Sequence, residues 1–282
     1  MKIAVLSDIH GNVAALEAVA AHIEGWQPDH IIVNGDVVNR GPDSVACWQI
    51  IKAQQESAGW QVLSGNHETY VCKHANPVPD REHVGVRAAI NQNSRWTYRQ
   101  FNGQVAELVA LTAVADVVAP DGSRLRATHA SMRSNSDGIY PFYTDEAIQA
   151  QIDTDTAVFV TSHIHVAYTR QINGTLLVNS GSAGQMCDGD TRASYAQIVW
   201  RKGQWRAEIV RLPYDTAATE RAFLTSGFMD ETGPVAQLIF HEWRTAVSFL
   251  TPWRAAYMTA VLSGDISLEQ SVAEFLQKQG VL

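Results

Sequence analysis

The first third of the chain alternates between apolar runs too short to be helices and stretches with helical spacing, and this rhythm constrains the fold most. Lys2-Ile3-Ala4-Val5-Leu6, Ile31-Ile32-Val33 and Gln61-Val62-Leu63 have the continuous apolar character of buried strands. A helix is expected from about Asn12 to Ile23, with Val13, Leu16, Ala20 and Ile23 on one face. Another is expected after Gly41-Pro42, carrying Val45, Trp48 and Ile51, with the proline in its first turn. Strands alternating with helices predict a parallel sheet joined by crossover connections. From Val84 to Leu111 the pattern stays mostly helical, anchored by Ile90, Trp96 and Phe101.

The middle of the chain turns to hairpins. Asp116-Val117-Val118 and Leu125-Arg126-Ala127 flank Asp121-Gly122, a tight-turn dipeptide. Val158-Phe159-Val160 is another buried run. Thr169 to Ile172 and Thr175 to Val178 flank Asn173-Gly174, and Tyr195 to Trp200 with Trp205 to Leu212 flank Lys202-Gly203. These segments are expected to form a second sheet stacked on the first, giving an α/β chain of two mixed sheets flanked by helices. After a soft boundary near residue 213, residues 213–282 read as a C-terminal helical extension packed on the sheets of 1–212. Phe240, Trp243, Val247 and Leu250 repeat at three and four, and Thr251-Pro252 opens a further helix bearing Trp253, Tyr257 and Val261. Ser267 with Gln270 resembles a capping box and Gly280 a helix stop.

Charge and cysteine narrow the function classes. The formal charge is −8, which counts against a broad electrostatic grip on nucleic acid but is compatible with a small anionic substrate if bound cations invert the sign locally. Cys47, Cys72 and Cys187 are odd in number and widely spaced, so neither a disulfide framework nor a zinc knuckle is indicated. The chain opens on a strand without a basic or apolar leader, and no run approaches the roughly 18 apolar residues of a membrane span. A cytoplasmic protein with no membrane partner is the expectation.

The ends of the apolar runs carry the chemistry. Ser7-Asp8-Ile9-His10-Gly11-Asn12 follows the first strand, where open α/β sheets place ligand-binding loops. Two residues apart in extended chain, Asp8 and His10 can face one ion. Asn34-Gly35-Asp36 follows the second strand. Gly35 permits a sharp exit, and the Asp36 carboxylate has lone pairs enough to bridge two ions. Gly65-Asn66-His67-Glu68 follows the third, with an amide oxygen at Asn66 and a carboxylate at Glu68 able to orient a neighbouring ligand. His129, then His163 and His165, close later strands, and Asn179-Ser180-Gly181-Ser182 closes another. Each of these alone is an ordinary cap, turn or surface residue. Together they supply carboxylates, imidazoles and an amide suited to two divalent cations.

In their order, D-x-H, G-D, G-N-H-[DE], H and H-x-H, these segments resemble the calcineurin-like metallophosphoesterase superfamily over roughly residues 1 to 212. The resemblance implies that Asp8, His10, Asp36 and His165 hold one metal, and that Asp36, Asn66, His129 and His163 hold the other. It makes His67 the histidine that stabilises or protonates the departing oxygen. Ser162 and Ile164 stand where the family often has Gly and Thr, which changes no ligand. Gly35-Asp36-Val37-Val38-Asn39-Arg40-Gly41 also resembles the G-D-x-V-D-R-G signature of the serine/threonine phosphatase and dinucleoside-tetraphosphatase branch, whose arginine binds phosphate. Arg40 would then make a bidentate phosphoryl contact, but Asn39 replaces the aspartate, so a carboxylate anchor for Arg40 is missing.

The expected activity is hydrolysis of a phosphodiester, a pyrophosphate-linked nucleotide or a phosphomonoester by metal-activated hydroxide, with Asp36, His67 and Arg40 catalytic and Arg40, Asn12 and His67 touching substrate. Manganese is the first expectation for the metal, with iron, zinc or cobalt as alternatives. A non-catalytic protein-binding scaffold, a serine/threonine-type protein phosphatase and a nuclease are the competing readings. The loop from Ser131 to Tyr143 is a candidate substrate-facing loop. The aromatic stripe of Trp243, Phe249, Trp253 and Tyr257 is read as core or edge cover, with a lid or dimer contact as the alternative.

Overall fold

Apolar side chains in unbroken runs need cover on both faces, and the three N-terminal runs receive it. Strands β1 (Lys2–Leu6), β2 (His30–Val33) and β3 (Gln61–Val62) are parallel, with helices α1 (Val13–Trp26) and α2 (Ser44–Ala58) crossing between them. Ala4, Leu6 and Val33 point into a core shared with Leu16, Val19, Cys47 and Ile51 of these helices. Ile3, Val5 and Ile32 point the other way, into a core shared with a second sheet. The structure, a computed structural model, describes residues 1–75 and 85–281, so Val84 lies outside the described residues.

After α3 (Asn66–Cys72) come α4 (Gly85–Ile90), α5 (Gln92–Gln100) and α6 (Ala106–Val109), with Ile90, Trp96 and Phe101 buried as expected. The second sheet has the order β4 (Val114–Val118), β5 (Arg124–Thr128), β6 (Val158–Thr161), β8 (Thr175–Asn179), β7 (Tyr168–Ile172). It mixes a parallel centre with antiparallel edges. Its inner face meets the first sheet through Leu125, Val158, Val160 and Val178. Its outer face is covered by Ile148 of α7 (Asp145–Gln149) and by Ile139 and Ile152.

The long hairpin β9 (Ala193–Arg201) and β10 (Gln204–Leu212) departs from expectation. It belongs to the first sheet, in the order β10-β9-β1-β2-β3, with β9 antiparallel to β1. Without it, β1 would be an edge strand with an open row of backbone donors and acceptors. Two other expectations shift. Asp43 is the residue before α2, so Pro42 precedes the helix rather than opening it. The repeat through Val247 is broken, because Ala246 adopts a left-handed conformation and leaves Val247 49% exposed past the helix end.

The remaining helices are α8 (Thr216–Thr225), α9 (Phe228–Glu231), α10 (Val235–Thr245), α11 (Leu250–Ser263) and α12 (Leu268–Lys278). Trp243, Phe249 and Trp253 are buried there, in one cluster that also takes in Ile90 and Trp96 from the central helices. Ser267 caps α12 by accepting the Gln270 amide at 3.1 Å. Among the described residues no helix is long and apolar enough to cross a membrane.

Candidate metal centre

The loops that leave β1, β2, β5 and β6, together with the start of α3, converge at one end of the paired sheets. Five of the residues expected as ligands, Asp8, His10, Asp36, His163 and His165, hold positive φ angles between 49° and 66°. For residues other than glycine this left-handed region costs on the order of 1–3 kcal/mol each and persists only where surroundings over-determine it. Five such residues at one site show a backbone bent to bring side chains together. Gly35 makes the sharp exit at φ 89°, and Gly65 is needed for approach, since a Cβ there would sit 2.0 Å from Asp36 Oδ1.

The side chains form overlapping groups. Asp8, His10 and His165 place ligand atoms within 4.8 Å of one another, as do Asp36, His129 and His163, and His10 with Asp36 joins the two. His165 Nε2 lies 3.1 Å from Asp8 Oδ1, and His10 Nε2 lies 3.7 Å from both Asp8 Oδ1 and Asp36 Oδ2. On the other side, His129 Nε2 is 3.2 Å from Asp36 Oδ2 and 3.0 Å from Asn66 Oδ1, which is 2.8 Å from His163 Nδ1. Asp36 therefore stands between the groups, as a bridge must.

Two observations test the fit to cations. Asp8 Oδ1 and Asp36 Oδ2 are buried without a hydrogen-bond partner, although each carboxylate's other oxygen has one: the His163 amide at 3.2 Å for Asp8 and the His67 amide at 2.8 Å for Asp36. A buried carboxylate oxygen is costly unless a cation meets it. In the metal-free chain the group nearest each is an imidazole, His165 at 3.1 Å from Asp8 Oδ1 and His129 at 3.2 Å from Asp36 Oδ2, where a metal ion would otherwise stand. The second observation is the imidazole tautomers. Nδ1 of His129 faces the Asn34 carbonyl at 2.8 Å, Nδ1 of His10 faces the Asn39 carbonyl at 3.3 Å, and Nδ1 of His165 faces the Gln185 carbonyl. A carbonyl only accepts, so each Nδ1 carries a proton, and Nε2 is the nitrogen that offers a lone pair inward once the ring is neutral. The seven predicted ligands fit a pair of divalent cations.

Electrostatics agree. Burial alone would raise the Asp36 pKa, but His129 and His67 hold it far below the carboxylate range. Burial works against the His129 cation, yet the Asp36 charge overrides it and lifts its pKa to about 10, whereas burial takes His163 down to about 4. Glu68 performs the orienting work expected of it. Its oxygens accept from the backbone amides of Gly65, Asp36, Val37 and Val38 at 2.8, 2.8, 2.8 and 3.2 Å. Burial, with the Asp36 charge adding, raises its pKa to about 7 against those bonds.

Asn39 has a different partner from the one its position suggested. Its Oδ1 accepts from the Arg40 amide at 2.9 Å, which fixes the orientation of the side-chain amide, and its Nδ2 then donates to His67 Nδ1 at 2.7 Å. Neutral His67 must therefore carry its proton on Nε2, and burial keeps the ring's pKa well below the usual value. A ring nitrogen of His67 shares a group with His10 and Asp36. In that tautomer Nε2 is a hydrogen-bond donor and has no lone pair to offer a cation.

The carboxylate anchor for Arg40 does exist, at the far end of the chain. Glu242 of α10 accepts from Arg40 Nη1 at 3.0 Å and from Gln185 Nε2 at 3.4 Å through Oε1. Its Oε2 accepts from the Phe249 and Leu250 amides at 2.9 and 3.0 Å. Sequence reading missed Glu242. The available signal was a carboxylate among Phe240, Trp243 and other residues of a buried helix face.

Asn12 and the segment from Asn179 to Ser182 serve the framework of the site. Asn12 is buried as the cap of α1, with Oδ1 accepting from Ala15 N and Thr219 Oγ1 at 3.2 and 2.8 Å and Nδ2 donating to the Gly184 carbonyl at 2.9 Å. Both polar atoms of its side chain are bonded within the chain. The segment from Asn179 to Ser182 braces the ligand-bearing loops. Asn179 braces Ser162, and Ser182 donates to the Asp8 carbonyl at 2.7 Å. The cavity over the metal residues has a volume of about 840 Å³, and Ser136 and Tyr140 of the loop following His129 line it.

The model of the calcineurin-like phosphoesterase superfamily domain matches residues 1–202. The chain belongs to this superfamily. It is 25% identical over 232 residues to an uncharacterized protein of Methanocaldococcus jannaschii, spanning 76% of this chain and 88% of that one. It is 38% identical over 68 residues, only 24% of the relative, to the symmetrical bis(5'-nucleosyl)-tetraphosphatase of Chromohalobacter salexigens. A metallophosphoesterase of Sphaerobacter thermophilus shares the fold at a TM-score of 0.64 and 22% identity, covering 88% of this chain and 99% of that one. A hypothetical protein of Pyrococcus horikoshii does so at 0.69 and 15%, covering 83% and 97%.

Proposed function

We propose that this chain is a dinuclear metal-dependent phosphoesterase that hydrolyses a small phosphodiester or a pyrophosphate-linked nucleotide. The observation that carries the reading is the pair of buried carboxylate oxygens without a hydrogen-bond partner, Asp8 Oδ1 and Asp36 Oδ2, each faced by an imidazole Nε2 that can ligate once its proton is gone.

Asp8, His10, Asp36 and His165 would hold one cation, and Asp36, Asn66, His129 and His163 the other. When bound, such a pair acidifies water and neutralises charge on a phosphoryl group. Carboxylate, imidazole and amide ligands suit manganese, with iron, cobalt or zinc compatible. The protein's own part lies around this centre. Asn39 fixes the His67 tautomer, so Nε2–H faces the reaction as donor and can pass its proton to the departing oxygen. Glu242 holds one arm of the Arg40 guanidinium, which orients the rest of the fork for phosphoryl oxygens. Glu68 ties the Asp36 loop to the start of α3, so that bridge and donor move as one. The intact His67 and ligand set favour this reading over a non-catalytic scaffold.

The test is elemental analysis of the purified protein together with turnover of bis-p-nitrophenyl phosphate. About two equivalents of transition metal and metal-dependent cleavage are expected. A protein that binds no metal under saturating manganese would overturn the reading.

A further inference from the structure

The cavity is larger than a single phosphoryl group over two cations requires, and its far wall comes from the C-terminal helices: Glu242 of α10, then Leu250, Arg254 and Met258 of α11. Arg87 of α4 and Lys73 complete a cationic margin. Among the described residues that line the cavity, only Asp36 and Glu242 are acidic. Neither carboxylate is free to serve that margin. Asp36 belongs to the metal set, and Glu242 accepts from Arg40, Gln185, the Cys187 thiol and two backbone amides.

Arg254 makes no hydrogen bond or ion pair among the described residues, and neither does the side chain of Arg87. Several arginines of this acidic chain have carboxylate partners, as Arg126 does in Asp116 and Asp153, Arg133 in Asp137 and Arg211 in Asp188, while others on the surface have none among the described residues. What sets Arg254 and Arg87 apart is that they stand without a carboxylate partner at the cavity. Arg254 is solvent-exposed, yet the surrounding protein and the Arg40 charge both depress its pKa. Like charges gathered at one cavity repel, and the arrangement is stabilised only when an anion joins it. The backbone bearing Arg254 is also fixed. Trp253 is buried and donates to Ser271 Oγ at 3.2 Å, and Glu242 pins the first residue of the helix.

We propose that Arg254, with Arg87 beside the same cavity, forms a distal anion subsite that binds a second phosphate, joined through an anhydride link to the phosphate presented to the metal residues. This deepens the phosphoesterase reading and rests on it for the place of the first phosphate. The substrate class is then a compound with a phosphate chain rather than one with a single bridging phosphate. A guanidinium fork suits a terminal or internal phosphate of such a chain through paired charge-assisted hydrogen bonds.

The experiment compares inorganic tripolyphosphate with orthophosphate as inhibitors of bis-p-nitrophenyl phosphate hydrolysis by the metal-loaded full chain. Wild type, Arg254→Ala, Arg254→Lys and Arg87→Ala are compared at one free metal concentration, so chelation affects all alike. In Arg254→Ala the tripolyphosphate inhibition constant should rise about tenfold or more, the scale of a lost charge-assisted contact, while that of orthophosphate moves less than threefold. Arg254→Lys should fall between, and Arg87→Ala should shift the same constant in the same direction. An unchanged tripolyphosphate constant in Arg254→Ala, or a rise matched by orthophosphate, overturns the subsite. If the wild type cleaves no ester, the phosphoesterase reading falls by itself. Calorimetric titration of tripolyphosphate into wild type and Arg254→Ala then decides the subsite, tighter binding by wild type supporting it and equal binding overturning it.

Discussion

The metal cradle and the C-terminal wall face the same cavity but are built on opposite principles. In the cradle, seven polar side chains stand on strand-end loops and the start of α3, five of them on backbone bent into left-handed conformations, and two carboxylate oxygens are left buried without hydrogen-bond partners. In the wall, side chains come from regular helices, and the one buried carboxylate, Glu242, has five donors. The cradle stores unfavourable electrostatics that a cation relieves. The wall is satisfied at Glu242 and leaves its unpaired charge, Arg254, where a ligand can reach it. The difference separates residues that create chemistry from residues that position and select.

The sharpest break of that comparison is Asp36→Asn. Removing the charge shared by both ligand groups should lower metal content well below two equivalents and cut turnover on the order of a thousandfold, since several kcal/mol of charge stabilisation depend on the cations. Metal retained at full stoichiometry would show that Asp36 is not the bridge. His67→Ala should keep the metals and lose roughly a hundredfold in turnover, the scale of a positioned general acid. Metal loss in that variant would mean His67 is a ligand, against the tautomer set by Asn39.

Metal uptake distinguishes two imidazoles within the cradle. With a pKa of about 10 in the metal-free protein, His129 is protonated at pH 7.5, and coordination through Nε2 must expel that proton. His163, at about 4, is already neutral and expels none. About one proton should therefore be released from His129 at pH 7.5, and apparent affinity should rise up to tenfold per pH unit until pH approaches 10. Calorimetry in two buffers of different ionisation enthalpy counts the protons. A count of zero would place His129 neutral before metal arrives.

Legibility in the sequence follows the same division. The cradle could be read because strand ends sit at predictable places and D-x-H or H-x-H spacing puts both side chains on one face. The wall could not, because the Arg40–Glu242 contact joins residues 202 apart, and nothing local to α10 says which loop its carboxylate meets. The same blindness misplaced the β9–β10 hairpin. Its alternation was plain, but the choice between two sheets depends on which strand edge lies open. Asn39 misled for a related reason. Its residue type was read correctly, yet its partner, His67, is set by the turn between them in space.

Glu242→Gln sharpens the comparison from the other side. The amide keeps the shape but loses the charge facing Arg40, and part of it must now present an NH₂ to donors. Metal content should stay near two while kcat/KM falls roughly tenfold, the range of a charge-assisted hydrogen bond. Because Oε2 also holds the start of α11, a small loss of thermal stability should accompany it. Metal loss would move Glu242 into the cradle.

The smallest expected effect on catalysis belongs to Asn12, which stands four residues from Asp8 and was expected to touch substrate. The structure gives its oxygen to Ala15 N and Thr219 Oγ1 and its amide to Gly184 O, joining α1, α8 and the loop before β9. Asn12→Ala removes a helix cap and leaves buried partners unmet, a cost of about 1–3 kcal/mol in stability. Turnover and KM should stay within about twofold of wild type, because no polar atom of Asn12 is left over for a ligand. Chemical denaturation beside steady-state kinetics separates the outcomes. A tenfold rise in KM with stability unchanged would return Asn12 to the substrate site, and would mean that the strand-end loops, rather than the helical wall, set what the cavity accepts.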